Sequence, residues 1–499
     1  MKTYEKRAEE LLGKRDAVLK EKAEKKRRAA RIAAVVGAAA LIAVITVTAV
    51  MASISRSVTP APNVNGVTTD VLNGNETLPG ITDETSAGTE ADTEAAKPRD
   101  GVIEGSGRSD EFSYGLSKGG VRTEAAASPS DVDAYSPSTE AAGYPYENNA
   151  DIQAGTLTAG EWKDSANFSD WKDLFEKQEW KNVLGARRID TRHMIKVSVV
   201  SEGLPCFNTA VKLTSADTVL FTAKTDMNGD AYLFYNVNKD GDQPDSVEVN
   251  GVREPLDGKT EVTVNAAEVG LQVKKLDLML MIDPTGSMGD ELEYIKTELY
   301  DVVKRAADAG NDLSIRVSVN FYRDDGDEYI VKYYDFRDDV NECVEQLKEQ
   351  YASGGGDYPE AVHTALDNAV NGHTWRDDAV KLCFFILDAP PHSESEIQGI
   401  NEKMTSDLKT AAEQGIRIIP VASSGVDVET EYLMRSFALL TGGTYMFITD
   451  DSGIGGGHKE AEVGEHTVEY LNECMLRVIC EYCGTYTGEK IPYTPTYHQ

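Results

Sequence analysis

The chain has 499 residues and a formal net charge of -34, with 84 acidic side chains against 50 basic ones. That length allows two or three folded domains. So acidic a chain repels a phosphate backbone, which excludes nucleic acid as its partner.

The amino end runs against this average, because residues 1–31 hold 12 Lys or Arg and only 6 Asp or Glu. The 23 uncharged residues 32–54 follow, dominated by Ala, Val and Ile. At about 1.5 Å per residue, a helix of that length crosses the apolar core of a bilayer. Lys25-Lys-Arg-Arg28 and Arg31 crowd its amino end. The positive-inside tendency therefore puts residues 1–31 in the cytoplasm as a basic segment, with the folded domains extracellular on a single-pass anchor in the cell membrane. A cleaved signal peptide is the alternative, but its apolar stretch is typically about 7–15 residues.

Residues 55–155 are rich in Thr, Ser, Ala, Gly, Glu, Asp and Pro and keep no helical or strand period. Such a stretch buries too little apolar surface to offset its ordering entropy and reads as a disordered acidic stalk. Residues 156–190 change character, with Trp162, Phe168, Trp171, Phe175 and Trp180 close together. Their spacing predicts a helix whose aromatic stripe docks on a neighbouring domain. Over residues 191–274 the pattern becomes short alternating strands separated by Gly, Asp and Asn, as in a small all-β sandwich. Asp226-Met-Asn-Gly-Asp230 lacks the glycine and the final glutamate of a calcium-binding loop, and reads as a hairpin turn. The order of strands and turns here resembles carboxypeptidase-regulatory or prealbumin-like modules.

From residue 275 to 484, strand and helix patterns alternate, the signature of an α/β layer fold. The first strand empties abruptly into Asp283-Pro-Thr-Gly-Ser-Met288, where a carboxylate and two hydroxyls, Asp283, Thr285 and Ser287, follow at alternate positions. Ligands in a doubly wound sheet bind at the carboxyl ends of strands. These hard oxygens suit Mg2+, which prefers oxygen ligands and parts reluctantly with its waters. Strands two and three are separated only by Asp324-Asp-Gly-Asp-Glu328, too short for a crossover. They are expected to form a hairpin whose acidic tip reaches the same edge, with Arg323 and Asp324 at its rim.

Asp283-x-Thr285-x-Ser287 resembles the metal-ion-dependent adhesion site of von Willebrand factor A-type domains. Ser353-Gly-Gly-Gly-Asp-Tyr-Pro-Glu-Ala361 looks like that family's second metal loop, and Val380-Lys-Leu-Cys-Phe-Phe-Ile-Leu-Asp388 like the strand that delivers its third-loop aspartate. The resemblance implies a doubly wound, Rossmann-like fold over residues 275–484 and a short tail at 485–499. It also implies metal ligands at Asp283, Thr285, Ser287, Asp357 and Asp388. The family's usual threonine is replaced by Gly356, and Asp357 beside it is the substitute candidate. The implied ion is Mg2+, with Mn2+ or Ca2+ as alternatives, and the implied partner is a protein that offers an acidic side chain to it. Three carboxylates on one divalent ion would tighten its binding and weaken its pull on that partner.

The reading is thus a membrane-anchored adhesion or protein-binding molecule, not an enzyme. Two alternatives stand beside it: an interaction module with a degenerate metal site, and a serine hydrolase centred on Ser287. The hydrolase rests on Thr285-Gly-Ser-Met-Gly289 and on the chain order Ser287, Asp388, His458 or His466, but the elbow's first glycine is missing. Cys480-Glu-Tyr-Cys483 has redox spacing without a second pair, so a structural disulfide among Cys343, Cys474, Cys480 and Cys483 is the remaining use for these thiols.

Overall fold

The computed structural model describes residues 99–105, 152–238, 241, 243–266, 273–309, 313–356 and 358–484. The basic segment 1–31, the apolar stretch 32–54, most of the stalk, Asp357 and the tail lie outside the described residues. Among the described residues, no helix is long and apolar enough to cross a membrane.

In chain order, the first elements are β1 (Gly101–Ile103), β2 (Thr158–Trp162), α1 (Phe168–Leu174) and α2 (Gln178–Arg187). A run of strands comes next: β3 (Met194–Ser201), β4 (Leu204–Pro205), β5 (Ala210–Ser215), β6 (Thr218–Lys224), β7 (Asp230–Phe234), β8 (Ser246–Val249), β9 (Val252–Pro255) and β10 (Glu261–Asn265). The alternating part holds β11 (Lys275–Ile282), α3 (Leu292–Ala309), β12 (Ser314–Tyr322), β13 (Val331–Tyr333), α4 (Val340–Lys348) and α5 (Val362–Asn371). It continues through β14 (Val380–Leu387), α6 (Ile400–Gln414), β15 (Ile416–Ala422), α7 (Val428–Thr441), β16 (Tyr445–Thr449), β17 (Glu469–Tyr470) and α8 (Leu471–Tyr482).

The large sheet has the order β1-β13-β12-β11-β14-β15-β16-β2-β17. Its six inner strands, numbered from β11, follow the doubly wound order 3-2-1-4-5-6, so β11 and β14 flank the switch point. All pairs from β12 through β16 are parallel, while β13 runs antiparallel to β12 as the short acidic connection predicts. β11 and β14 are apolar except for Lys275, Asp277 and Lys381 toward their amino ends, and both are buried along nearly their whole length. That is what helices on both faces of a parallel sheet require.

Two expectations need correcting. The stalk includes a strand, because β1 pairs with β13 in antiparallel register, Gly101 opposite Tyr333 and Ile103 opposite Val331. An edge strand presents unpaired backbone groups, and this one is covered by chain that carries its own clamps: Arg337 pairs with Asp100, and the Arg99 amide donates to Asp335. The aromatic segment is also not one helix. It opens with β2, which joins the far edge of the sheet beside β16, and only then forms α1 and α2. Glu298 on α3, fully buried, accepts the backbone N–H groups of Gly155, Thr156 and Leu157 at 2.7, 2.7 and 3.0 Å and so fixes the entry to β2.

The aromatic stripe does pack inward. Trp171 and Trp180 are fully buried; both make edge contacts with Phe175, and Trp171 stacks on Tyr432 of α7 while Trp180 meets it edge-on. Arg435 of α7 lies over both indoles and donates to Asp164 at 2.6 and 2.9 Å, a pair almost wholly out of water.

The strands β3 to β10 form two four-stranded sheets, β10-β3-β4 with β7 beside β3, and β6-β5-β8-β9. The turn at Asp226 therefore carries the chain from one sheet to the other and is not a hairpin. Asp226 Oδ1 accepts the N–H groups of Asn228 and Asp230, and Gly229 takes φ +75° where a β-carbon would fall 2.4 Å from Val199 O. Cys343, Cys383 and Cys483 are free, buried thiols, which removes Cys343 and Cys483 from any disulfide pairing. Burial raises each of them, so none is poised as a thiolate.

Candidate functional site

The carboxyl ends of β11 and β14 lie side by side because the two strands pair in parallel, Ile282 opposite Ile386. The Asp283 amide continues that ladder to Ile386 O. Asp283 and Asp388, one step beyond their strands, are consequently brought together although 105 positions apart in sequence. Between them runs a chain of short polar contacts. Asp283 Oδ1 accepts the Thr285 amide at 2.8 Å and the Thr285 hydroxyl at 2.6 Å. The Thr285 and Ser287 hydroxyls are 3.1 Å apart, and Ser287 hydrogen-bonds Asp388. Four of the five residues predicted as ligands thus form one connected cluster, and the fifth, Asp357, is not among the described residues.

The second loop is bound directly to the first. Ser353 N donates to Pro284 O, and Gly286 N donates to Gly354 O. Gly354 and Gly355 both have positive φ, +83° and +71°, which only glycine adopts without strain. A side chain at Gly354 would meet Asp327, whose Oδ2 accepts the amides of Gly355 and Asp324. The acidic hairpin tip therefore serves as a clamp on the second loop.

Arg323 and Asp324 are not rim residues, since they are only 3% and 5% exposed. Arg323 stacks over Tyr329 and Tyr351 and donates to Tyr351 O. Asp324 pairs with His392 at 2.8 Å on the third loop. The backbone oxygens of Pro391 and His392 in that loop accept from Arg187 of α2, so the upstream segment reaches the site.

The electrostatics are dominated by burial of like charges. Burial and then Asp388 push the Asp283 carboxyl well above the ordinary range, and burial does the same to Asp388, against the opposing hydrogen bond from Ser287. A third acid, Glu360, was missed in the sequence. Only 2% exposed, it is pushed up to about 10 by burial and then by Asp283, Asp324 and Asp388. The Pro-Glu pair that ends the second loop carried no periodicity or ligand spacing to mark it. Asp388 Oδ1 and Glu360 Oε2 lack hydrogen-bond partners at the site, and Asp283 has the Tyr322 hydroxyl beside it. Buried polar atoms are normally satisfied, so buried carboxylate oxygens without partners near the Thr285 and Ser287 hydroxyls suit a hard divalent cation. Among the described residues, no three His, Cys, Asp or Glu side chains by themselves converge to hold a metal ion. The hydroxyls of Thr285 and Ser287 have to complete any such set.

His458 is engaged by Glu291 at 3.0 Å and Asp450 at 2.8 Å, and His466 packs edge-on against Phe447. Ser424 donates its amide to the same Glu291, while Ser423 is buried behind the third loop with its amide on Leu387 O.

Fold and site together define a doubly wound α/β domain with an oxygen-rich cluster at its switch point. Residues 277–438 match the family model described as the von Willebrand factor A domain. Among curated proteins, an ariadne-like RING finger protein of Acanthamoeba polyphaga mimivirus is 27% identical over 189 residues, 35% of this chain and 18% of that protein. The alpha-protein kinase vwkA of Dictyostelium discoideum is 29% identical over 118 residues, 23% of this chain and 19% of the kinase. The chain therefore spans less than a fifth of either relative. Among solved structures, the conserved hypothetical protein BatB from Bacteroides thetaiotaomicron is 14% identical, with a TM-score of 0.28 over 42% of this chain and 99% of that one.

Proposed function

We propose that this chain is a membrane-anchored, extracytoplasmic, non-enzymatic protein that binds or adheres to a protein partner through a divalent-cation site. The observation that carries this reading is the hydrogen-bonded run from Asp283 through Thr285 and Ser287 to Asp388, flanked by buried carboxylate oxygens without partners. Thr285 and Ser287 would hold Mg2+ directly, and Asp283, Asp388 and Asp357 directly or through water. A bound ion supplies a positive centre at an exposed edge, where Ser287 and its glycine neighbours are accessible, and an acidic side chain of the partner is attracted to it. The apolar stretch 32–54 with its basic amino flank supports the anchor.

Calorimetry on the full-length, detergent-solubilised chain tests the ion. Heat is expected with Mg2+ and Mn2+ and none for Asp283→Ala, whereas no heat from either cation on the parent protein overturns the site. A second reading, an interaction module that works without an ion, is favoured by the failure of the carboxylates alone to converge. Partner binding that withstands chelation would select it.

A further inference from the structure

At the end of the large sheet opposite the oxygen cluster, the second residue of two neighbouring strands is basic, Lys381 on β14 and Arg417 on β15. A third basic residue, Lys224, ends β6 of the adjoining small sheet. The three meet around Gly415. Lys381 Nζ donates to Gln414 O at 2.6 Å, Arg417 donates to Lys224 O at 2.6 Å, and a side chain on Gly415 would stand 3.2 Å from Lys224 Cδ. With Asn208, Thr225 and Asp226 they line a cleft of about 280 Å³ between the small sheets and the α/β domain. Lys381 and Arg417 are only 2% and 5% exposed, and Lys and Arg are almost never so buried unless paired. Yet the nearby carboxylates are engaged elsewhere: Asp277 with Arg316 and Arg376, Asp378 with Lys275, and Asp226 with the amides of Asn228 and Asp230. Asp377, exposed at the rim, draws on both lysines without forming an ion pair with either. Burial and then the Lys224 charge bring the Lys381 ammonium down to about 8, and burial lowers Lys224 as well. Deprotonating a lysine relieves this only in part, because the Arg417 guanidinium keeps its charge.

We propose that this cleft binds a small inorganic oxyanion of the phosphate or sulfate type, held by Lys224 from the small sheet and by Lys381 and Arg417 from the α/β domain. The cleft is smaller than the roughly 300–1,000 Å³ pockets that enclose drug-sized molecules, which restricts the ligand to a small ion. The donors are in place. Each ammonium has three N–H groups, of which Lys381 gives one to Gln414 O, and hydrogen bonds from charged donors to an oxyanion are the strong ones. A bound oxyanion supplies the counter-charge that the described carboxylates do not, and it bridges the two modules across their boundary. Its binding therefore stabilises the folded chain by mass action. The site stands apart from the switch point and does not depend on whether a cation binds there.

Calorimetry of the full-length chain against sodium phosphate in metal-free buffer tests the site, together with melting curves in phosphate and in sodium chloride of equal ionic strength. The parent is expected to bind phosphate and to melt higher in it than in chloride. Lys224→Gln and Lys381→Met are each expected to weaken phosphate binding by at least about tenfold, the loss of one charge-assisted hydrogen bond. Without phosphate, Lys381→Met should melt no lower than the parent, because a buried ammonium that lacks a counter-charge gives way to an apolar chain of similar length. No phosphate binding by the parent, a thermal shift that chloride reproduces in full, or an unchanged affinity in either variant overturns the proposal. If Lys381→Met fails to fold, Lys224→Gln, on a half-buried residue, decides by the same tenfold criterion.

Discussion

Asp327 Oδ2 accepts the Gly355 N–H at 2.9 Å, so the acidic tip between β12 and β13 holds the glycine loop that forms one wall of the site. The same oxygen accepts the Asp324 amide, which makes Asp327 a single anchor for two loops. Asp327→Ala should therefore lower stability by about 1–2 kcal/mol for two lost hydrogen bonds to a charged acceptor and weaken Mn2+ binding. Chemical denaturation and metal titration check both halves. Gly354→Ala should be worse, because the new β-carbon would fall 2.4 Å from the Asp327 carboxylate at a φ of +83°.

The buried carboxyl of Asp283 gives the metal-free protein a defined pH dependence. Burial and Asp388 raise its folded value above the unfolded one of about 4. The folded state then binds a proton more tightly than the unfolded state, so this group's stability is full below pH 4 and is lost as pH rises through the raised value. Asp283→Asn should melt above the parent at pH 7.5 in chelator, with the difference vanishing near pH 4. Saturating Mg2+ should reverse the order at pH 7.5. A parent that melts higher than Asp283→Asn at every pH in chelator would refute the argument.

His458 behaves with the opposite dependence on its charge. Burial lowers its basicity, but the hydrogen bonds and charges of Glu291 and Asp450 outweigh that and raise it above the ordinary imidazole value. Its contribution is present in full below about pH 6.5 and disappears as pH rises through the folded value. The imidazole ties the glycine-rich stretch after β16 to Glu291, which in turn holds the Ser424 amide. His458→Gln should cost about 1–3 kcal/mol at pH 5.5 and distinctly less at pH 9. Denaturation curves at the two values settle it, and equal losses would argue against a charged histidine.

The buried pair Asp164 and Arg435 joins the segment ahead of the two small sheets to α7. Asp164→Ala removes two hydrogen bonds from a guanidinium that keeps Glu431 as a buried carboxylate partner and should cost about 1–3 kcal/mol. Tryptophan fluorescence during urea unfolding reads both the loss and the cluster it disturbs. If residues around Trp171 were merely tethered, the midpoint would not move.

The legible parts were those written in local pattern. The apolar run of β11, its end at Asp283, the helical spacers and the five-residue connection after β12 each follow from periodicity or chain length. Those rules constrain neighbours in sequence and serve equally well for sheet order, since a short connection forces a hairpin and a long one permits a crossover. The ligand candidates Asp283, Thr285 and Ser287 were named from the chemistry of a strand end and Asp388 from the resemblance to a known family, and the parallel register of β11 with β14 brings the two strand ends together.

By itself, the sequence determined the alternation of strands and helices and the placing of hard oxygens at a strand end. Only the tertiary structure decided that chain from the stalk and from the aromatic segment extends the sheet at both ends, because strand pairing is made by backbone groups that no side-chain pattern announces. It alone turned Asp327 from a solvated turn residue into a clamp and Glu360 from an unremarked glutamate into a buried, unpartnered acid. Both roles arise from contacts between distant loops, and the energy of a carboxylate is set by what surrounds it in space, not by what precedes it in the chain.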